Sequence, residues 1–171
     1  FYKLKPNNII AVTGTNGKTS IANFYHQIMS LNNKKVASIG TLGVFSKKFN
    51  LETNNTTVDP VNIHKILQRL KKLGVDNVMI EASSHGLKQH RIDNINFKTA
   101  IFTNLSRDHL DYHKTIKDYL NSKLILFNKL VNTKGNIIFD NIVKETRKLE
   151  KISKKRKLKK YTIGSTKSFI R

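Results

Sequence analysis

The stretch Ile9 to Ser20, IIAVTGTNGKTS, constrains this chain more than any other. Ile9, Ile10, Ala11 and Val12 make an apolar run of strand length, Gly14-Thr15-Asn16-Gly17 a tight turn, and Lys18-Thr19-Ser20 the opening of a helix. Such a segment has the composition of a phosphate-binding loop. Its glycines let backbone N–H groups curl around an anion, and the helix N-terminus adds its positive end. The lysine reaches the outer phosphates, and the hydroxyl after it can ligate Mg²⁺. An ordinary glycine turn between strand and helix is the competing reading. In the pattern G-x-x-x-x-G-K-[ST] the first glycine would fall at Val12, whereas here it stands at Gly14. ATP or GTP binding is the expectation this stretch sets.

The remaining chain repeats the strand–helix alternation. Lys18 to Leu31 carries apolar residues at helical spacing (Ile21, Phe24, Ile28, Leu31), and Asn32-Asn33 ends it. Lys35 to Thr41 reads as the next strand, and Val44-Phe45 against Phe49 and Leu51 as a short hairpin. Asp59 as N-cap and Pro60 at the first position open a helix with an inward face of Ile63, Ile66, Leu67 and Leu70, and Gly74 terminates it. Asn77 to Ser83 and Thr99 to Leu105 are further strands. A helix over about Thr115 to Val131 buries Ile116, Leu120, Leu124 and Phe127. Asn136 to Asp140, a helix to about Ile152, and Lys160 to Gly164 complete the set. Strands separated by helices predict an α/β fold, a mostly parallel sheet flanked by helices, in one domain over 1–171. Ligands of such sheets sit at the carboxyl ends of the strands. Three polar clusters fall there: Thr13 to Thr19, Glu81 to His85, and Asn104 to His113.

With 32 basic against 11 acidic residues the net charge is +21, which invites a nucleic-acid reading. The lysines, however, are spread over the whole length among many Asn and Ile, the pattern of A/T-rich coding, and few aromatics interleave to stack bases. No nucleic-acid partner is expected. The dense block Lys151 to Lys160 reads as a solvated helix end and linker, with the tail Ser165 to Arg171 continuing that linker; binding of nucleic acid or an acidic partner is the alternative. The absence of cysteine excludes disulfides and thiolate chemistry and fits a reducing compartment. No apolar run approaches the roughly 20 residues that span a bilayer, and no signal-peptide pattern opens the chain. The expectation is a cytoplasmic monomer with no membrane partner. The chain begins with Phe1 rather than methionine, as a piece of a longer chain would.

Glu81-Ala82-Ser83-Ser84-His85-Gly86 follows a buried strand. A carboxylate there, facing a phosphate loop, can hold Mg²⁺ directly or through water, while Ser83 or Ser84 could equally cap a helix. Ser106 to His113 packs two histidines and two aspartates directly after a strand, which favours a site over isolated structural histidines.

TGTNGKTS, NNTTVDP, IEASSHGLKQHRID, FTNLSRDHLDYH and YLNSKLILF, in this order and spacing, resemble the central domain of the Mur ligases, a P-loop NTPase-like fold. The similarity is strongest to the members that add the third residue of the peptidoglycan stem peptide. It covers Ile9 to Gly164 and includes the shifted glycine at Gly14. The resemblance implies an ATP-dependent amide-forming ligase of the bacterial cytoplasm, with ATP and Mg²⁺ as cofactors. Its small-molecule partners would be UDP-N-acetylmuramoyl-L-alanyl-D-glutamate and a diamino acid, meso-diaminopimelate or L-lysine, joined through an acyl phosphate.

By the same resemblance Gly14, Thr15, Asn16, Gly17, Lys18 and Thr19 cradle the ATP phosphates, with Lys18 on the outer ones. Thr19 and Glu81 hold Mg²⁺, His109 lies near a second metal ion, and Lys123 carries a carbamate that makes it an oxygen ligand. Lys18, His109 and Lys123 form the implied catalytic set. Asn55, Thr56, Thr57, Ser83, Gln89 and Arg91 hold the UDP-muramoyl dipeptide, Arg91 as an anion partner. The residues alone would place Lys123 on a solvated helix face. This chain departs from the family at Val58, where T-T-P-D-P is common, and at Phe139 to Val143, where an Asn-x-Asp-Asp pattern is common. The flanking uridine-seating and amino-acid-selecting domains have no counterpart in it. Another P-loop NTPase and a folylpolyglutamate synthase-type ligase are the alternative readings.

Overall fold

The computed structural model describes residues 4–164, so the tail expected as a linker lies outside the described residues. The elements are β1 (Asn8–Thr13), α1 (Lys18–Leu31), β2 (Val36–Gly40), β3 (Gly43–Ser46), α2 (Pro60–Lys72), β4 (Asn77–Glu81), α3 (Ser84–Lys88), β5 (Phe97–Phe102), α4 (Leu110–His113), α5 (Ile116–Ile125), β6 (Val131–Asp140), α6 (Thr146–Arg156) and β7 (Lys159–Ile163). They build a seven-stranded sheet in the order β3-β2-β4-β1-β5-β6-β7. Every neighbouring pair is parallel except β2 with β3. The exception has a covalent cause: only two residues join β2 to β3, too few for a crossover. β3 also bridges Val44 to Leu51, so the expected hairpin exists but is secondary to the β2 pairing.

The central strand β1 lies between β4 and β5, with Val12 opposite Glu81 and Thr13 opposite Phe102. The three polar clusters therefore leave the same end of three adjacent strands. One sheet face carries Ile9, Ala11, Ile39, Val78, Ile80, Ala100, Phe102, Ile137 and Phe139 into the main core, covered by α2, α5 and α6. The other face joins Val12 and Met79 to Ala22 beneath α1. Helix α2 follows its sequence closely. Asp59 accepts from the N–H groups of Val61 and Asn62, Pro60 stands first, and Ile63, Ile66, Leu67 and Leu70 are buried. Gly74 leaves the helix at φ +77°.

β5 and β6 begin at Phe97 and Val131 rather than Thr99 and Asn136, β5 ends at Phe102 rather than Leu105, and four further segments depart from expectation. Helix α1 has the expected bounds, but Phe24, Ile28 and Leu31 are 60, 59 and 83% exposed, and the helix packs through Ala22 with Ile21 and Tyr25. The loop fixes the helix phase: Lys18 and Thr19 must face the turn, and the residues one and two turns on inherit that side. β4 ends at Glu81 rather than Ser83, because Ser83 N-caps α3. Helix α5 stops at Ile125 and widens into a π-helical turn, Leu126–Leu130, which puts both Leu126 and Phe127 in the core before β6 begins at Val131. The basic block is not a linker. It forms the end of α6 and the edge strand β7, with Leu158 buried between them, and Arg156 donates to the Phe127 and Val131 carbonyls at 2.8 and 2.7 Å. Among the described residues no helix is long and apolar enough to cross a membrane.

Candidate active site

β1 delivers the chain into a turn that only glycine can make. Gly14 has φ +153°, and a Cβ there would stand 1.8 Å from Thr103 Oγ1. The displaced glycine of the loop pattern is thus placed where β5's exit crosses the turn. Gly17, at φ +84°, is the N-cap of α1, and no side chain caps that helix, so its first N–H groups face the loop. The turn is held from outside. Thr15 N–H donates to Asn104 O and Asn16 N–H to Asn104 Oδ1, both at 3.0 Å, while Thr103 Oγ1 donates to Asn16 O at 2.7 Å. Ser106 N–H and Tyr119 O–H both donate to Thr15 Oγ1, at 3.0 and 3.3 Å. With the Thr15 and Asn16 N–H groups spent on Asn104, the N–H groups offered to a phosphate are those at the uncapped start of α1.

Beside it lies a buried carboxylate. Glu81 is 2% exposed and accepts from Thr19 Oγ1 at 2.8 Å, from Thr41 N–H at 3.1 Å and from Thr41 Oγ1 at 3.3 Å. Gly40 makes room for it, since a Cβ there would lie 2.0 Å from Glu81 Oε1. Thr19 and Glu81 are adjacent hard oxygen donors at the cradle's rim, the donor set a Mg²⁺ ion takes. Among the described residues no three His, Cys, Asp or Glu side chains gather closely enough to hold an ion. Metal binding here would draw on Thr19, Glu81 and ligand oxygens.

Two lysines meet above the loop. Lys18 Nζ donates to Gly14 O at 3.0 Å and Thr15 O at 2.8 Å, and Lys123 Nζ donates to the same Gly14 O at 2.7 Å. Lys123 is 1% exposed and its Nζ lies 4.2 Å from the Tyr119 ring centroid. The solvated position its helix spacing suggested is overturned, because α5 turns this face toward the loop. Burial, with the Lys18 charge adding to it and Asp108 opposing, lowers its pKa to about 7. Burial likewise lowers that of Lys18, against the attraction of Glu81 and Asp108. His109, the left-handed N-cap of α4, is exposed, and its ring centroid lies 6.0 Å from that of Tyr119.

The residues assigned to the second substrate surround the end of β4. Thr57 is buried, its hydroxyl donating to Glu81 O at 3.0 Å and accepting from Ser83 N–H at 2.8 Å, so it ties its loop to the strand end. Thr56 lies 3.0 Å from Thr41 through their hydroxyls, and Asn55 is exposed beside them. Ser83 caps α3 by accepting from Gly86 N–H at 3.0 Å. Arg91 Nε donates to Gln89 Oε1 at 2.8 Å and its Nη1 to Thr57 O at 2.9 Å. Sequence reasoning did not single out Thr41, Thr103, Asn104 or Tyr119, and it counted His113 among ligand-capable groups, whereas His113 is fully buried with Nε2 2.9 Å from Ser84 Oγ. Asn104 and His113 lay inside a flagged cluster. Thr103 and Tyr119 stand inside motifs that carry the family resemblance without a role of their own, Thr41 stands in none, and all three gain a role only through partners distant in sequence.

A family model described as Mur ligase middle domain matches residues 12–170. A curated relative from Brucella melitensis biotype 1, UDP-N-acetylmuramoyl-L-alanyl-D-glutamate--2,6-diaminopimelate ligase, is 48% identical over 131 residues, covering 77% of this chain and 27% of its own length. One of the same description from Rickettsia bellii is 41% identical over 96% of this chain and 36% of its own. A solved structure titled as that ligase superposes with TM-score 0.84 at 32% identity, over 98% of this chain and 34% of its own. A Mycobacterium tuberculosis folylpolyglutamate synthase complexed with ADP and AMPPCP shares the fold at TM-score 0.69 and 15% identity. The chain spans about a third or less of the relatives it matches. With the cradle, the buried glutamate and the loop-directed lysines in place, the match over nearly the whole chain shows that it belongs to the Mur ligase middle-domain family.

Proposed function

We propose that this chain is the ATP-binding central domain of a ligase that joins a diamino acid to UDP-N-acetylmuramoyl-L-alanyl-D-glutamate, working in the bacterial cytoplasm between a uridine-seating and an amino-acid-selecting domain. The observation that carries the reading is a juxtaposition. The Gly14–Thr19 loop meets the Glu81 carboxylate at Thr19, and the Glu81 main-chain carbonyl accepts from Thr57, whose own carbonyl anchors Arg91. A γ-phosphate and an anionic acceptor would therefore meet at one point, which is what positioning catalysis of phosphoryl transfer requires.

In this reading the loop N–H groups and Lys18 hold the β- and γ-phosphates and neutralise charge as it moves to the leaving oxygen. Mg²⁺, held through Thr19 and Glu81, supplies further charge neutralisation when bound. Arg91 pairs with an anionic group of the dipeptide. The acceptor carboxylate oxygen attacks the γ-phosphorus, the bond to ADP breaks, and an acyl phosphate forms. The diamino acid's amine then attacks the acyl carbon, phosphate leaves, and the amine's proton is lost. Lys123, with a pKa near 7, is partly an uncharged amine at neutral pH. That form can take up CO₂ as a carbamate with release of a proton, which supports its assignment as an oxygen ligand.

The test is ADP formation by the chain together with the flanking domains the proposal gives it. Release should require UDP-muramoyl dipeptide and a diamino acid together, with the tripeptide product seen by mass spectrometry. Stimulation by DNA or RNA, or by a folate with glutamate, in place of the dipeptide would overturn the reading.

A further inference from the structure

Helix α4 is a single turn, yet both of its last two residues reach across to α3. His113, fully buried, places Nε2 2.9 Å from Ser84 Oγ at the start of α3. The Tyr112 hydroxyl accepts from Gln89 Nε2 at 3.2 Å at its end, and the Tyr112 and His85 rings pack with centroids 4.1 Å apart. Lys88 Nζ lies 5.2 Å from the Tyr112 ring centroid and pairs with Asp118 of α5 at 2.6 Å. The five-residue helix α3 is thus fixed to α4 at both ends. Its own hydrogen bonds could not hold so short a helix.

The contact at Tyr112 continues inward. Gln89 gives an amide N–H to Tyr112 and uses its carbonyl oxygen for Arg91 Nε, while Arg91 Nη1 is held by Thr57 O. A guanidinium has five N–H donors in one plane. Two anchors set that plane, and the rest are not spent on any described residue. Without Tyr112 the Gln89 amide is held only by its bond to Arg91 itself, so it no longer fixes the guanidinium plane from outside.

We propose that Tyr112 is a positioning residue for substrate recognition, acting through Gln89 to orient the Arg91 guanidinium toward an anionic group of the acceptor. The proposal rests on the acceptor reading given above. It assigns to the Tyr of the Asp-Tyr-His segment a role separate from phosphate binding, because none of its contacts reaches the Gly14–Thr19 loop.

The experiment is steady-state kinetics of Tyr112→Phe in the chain with its flanking domains, varying UDP-muramoyl dipeptide and ATP separately. Loss of one hydrogen bond in such a relay corresponds to a change of about three- to tenfold. The dipeptide KM should rise by that factor, with kcat and the KM for ATP unchanged within twofold. Gln89→Leu should raise the dipeptide KM alike, and the double variant should add nothing further. An unchanged dipeptide KM, or a fall in kcat with both KM values moving together, overturns the positioning role; the second pattern marks Tyr112 as merely structural. Wild-type protein that forms ADP without regard to the dipeptide overturns the acceptor reading and this inference with it. Tyr112→Ala serves as the folding control: its melting temperature should fall, whereas that of Tyr112→Phe, which keeps the ring on His85, should not.

Discussion

Helices α1 and α5 each bring a lysine to the carbonyl of Gly14, and they do so under opposite rules. α1 grows directly out of the loop, so Lys18 sits one residue from the turn it serves. α5 begins a hundred residues later and presents Lys123 from a buried face. The amphipathic pattern misleads on α1 and is incomplete on α5, where Leu120 and Leu124 are buried as their spacing predicts and Lys123 is buried beside them. The apolar spacing of α1 at Phe24, Ile28 and Leu31 points to solvent, and the most polar side chain of α5's last turn points to the interior. On α1 the residue aimed at the loop sets the rotation and hydrophobic spacing yields, whereas on α5 the apolar face and the loop-directed lysine are buried together. The lesson is that a site can override patterning on one helix and add a buried charge to it on another.

Replacing Lys18 is the sharpest way to break the comparison. Lys18→Ala should cut dipeptide-dependent ADP formation on the order of 10³-fold, as expected for loss of a preorganised charge at a transferring phosphate. Retained activity would show that the two lysines are interchangeable. Lys123→Ala should lose activity on the order of 10²-fold and recover part of it with added short carboxylates. Failure to recover counts against a carbamate.

Lys123 also separates itself from Lys18 through stability. Its folded-state pKa of about 7 lies below the ordinary lysine value of 10.5, so between those pH values the unfolded chain binds more protons. The penalty for burying the ammonium is fully present below pH 7 and is relieved as pH rises. Compared with Lys123→Met, the wild-type chain should therefore gain stability between pH 7 and pH 10, by at most about 1.4 kcal/mol per unit. Parallel melting curves for the two proteins would remove the buried-charge assignment. The smallest effect is on the other helix. Phe24→Gln and Ile28→Gln in the 171-residue chain should each change stability by less than about 0.5 kcal/mol in urea unfolding, as befits residues already exposed.

What was legible in the sequence is what local rules decide. Asp59-Pro60 opens α2 and Gly74 closes it because capping acts over three or four residues. Gly14, Lys18 and Thr19 were legible because a phosphate loop is contiguous, and Glu81 because an apolar strand ends on it. The burial of Lys123 was not, since it depends on α5 packing against a loop over a hundred residues earlier. Nor was the end of α5, where the π-helical turn is stabilised by Arg156 from α6. That same contact made structural a basic block whose composition suggested a linker. Resemblance to a family supplied Lys123 where spacing could not.

The loop's anchoring has a consequence for how the chain acquires its ligand. Thr15 is held by Ser106 and Tyr119, and Gly14 is met by Lys123, all from residues about ninety or more positions downstream. Contacts so distant in sequence form late, after loop-closure entropy has been overcome. During synthesis the stretch Ile9 to Ser20 leaves the ribosome early with its glycines unrestrained, and it stays so until β5 and α5 have followed. For the proposed nucleotide site, affinity therefore belongs to the finished sheet, and a nascent chain stopped at α2 would carry the whole motif without the contacts that hold it.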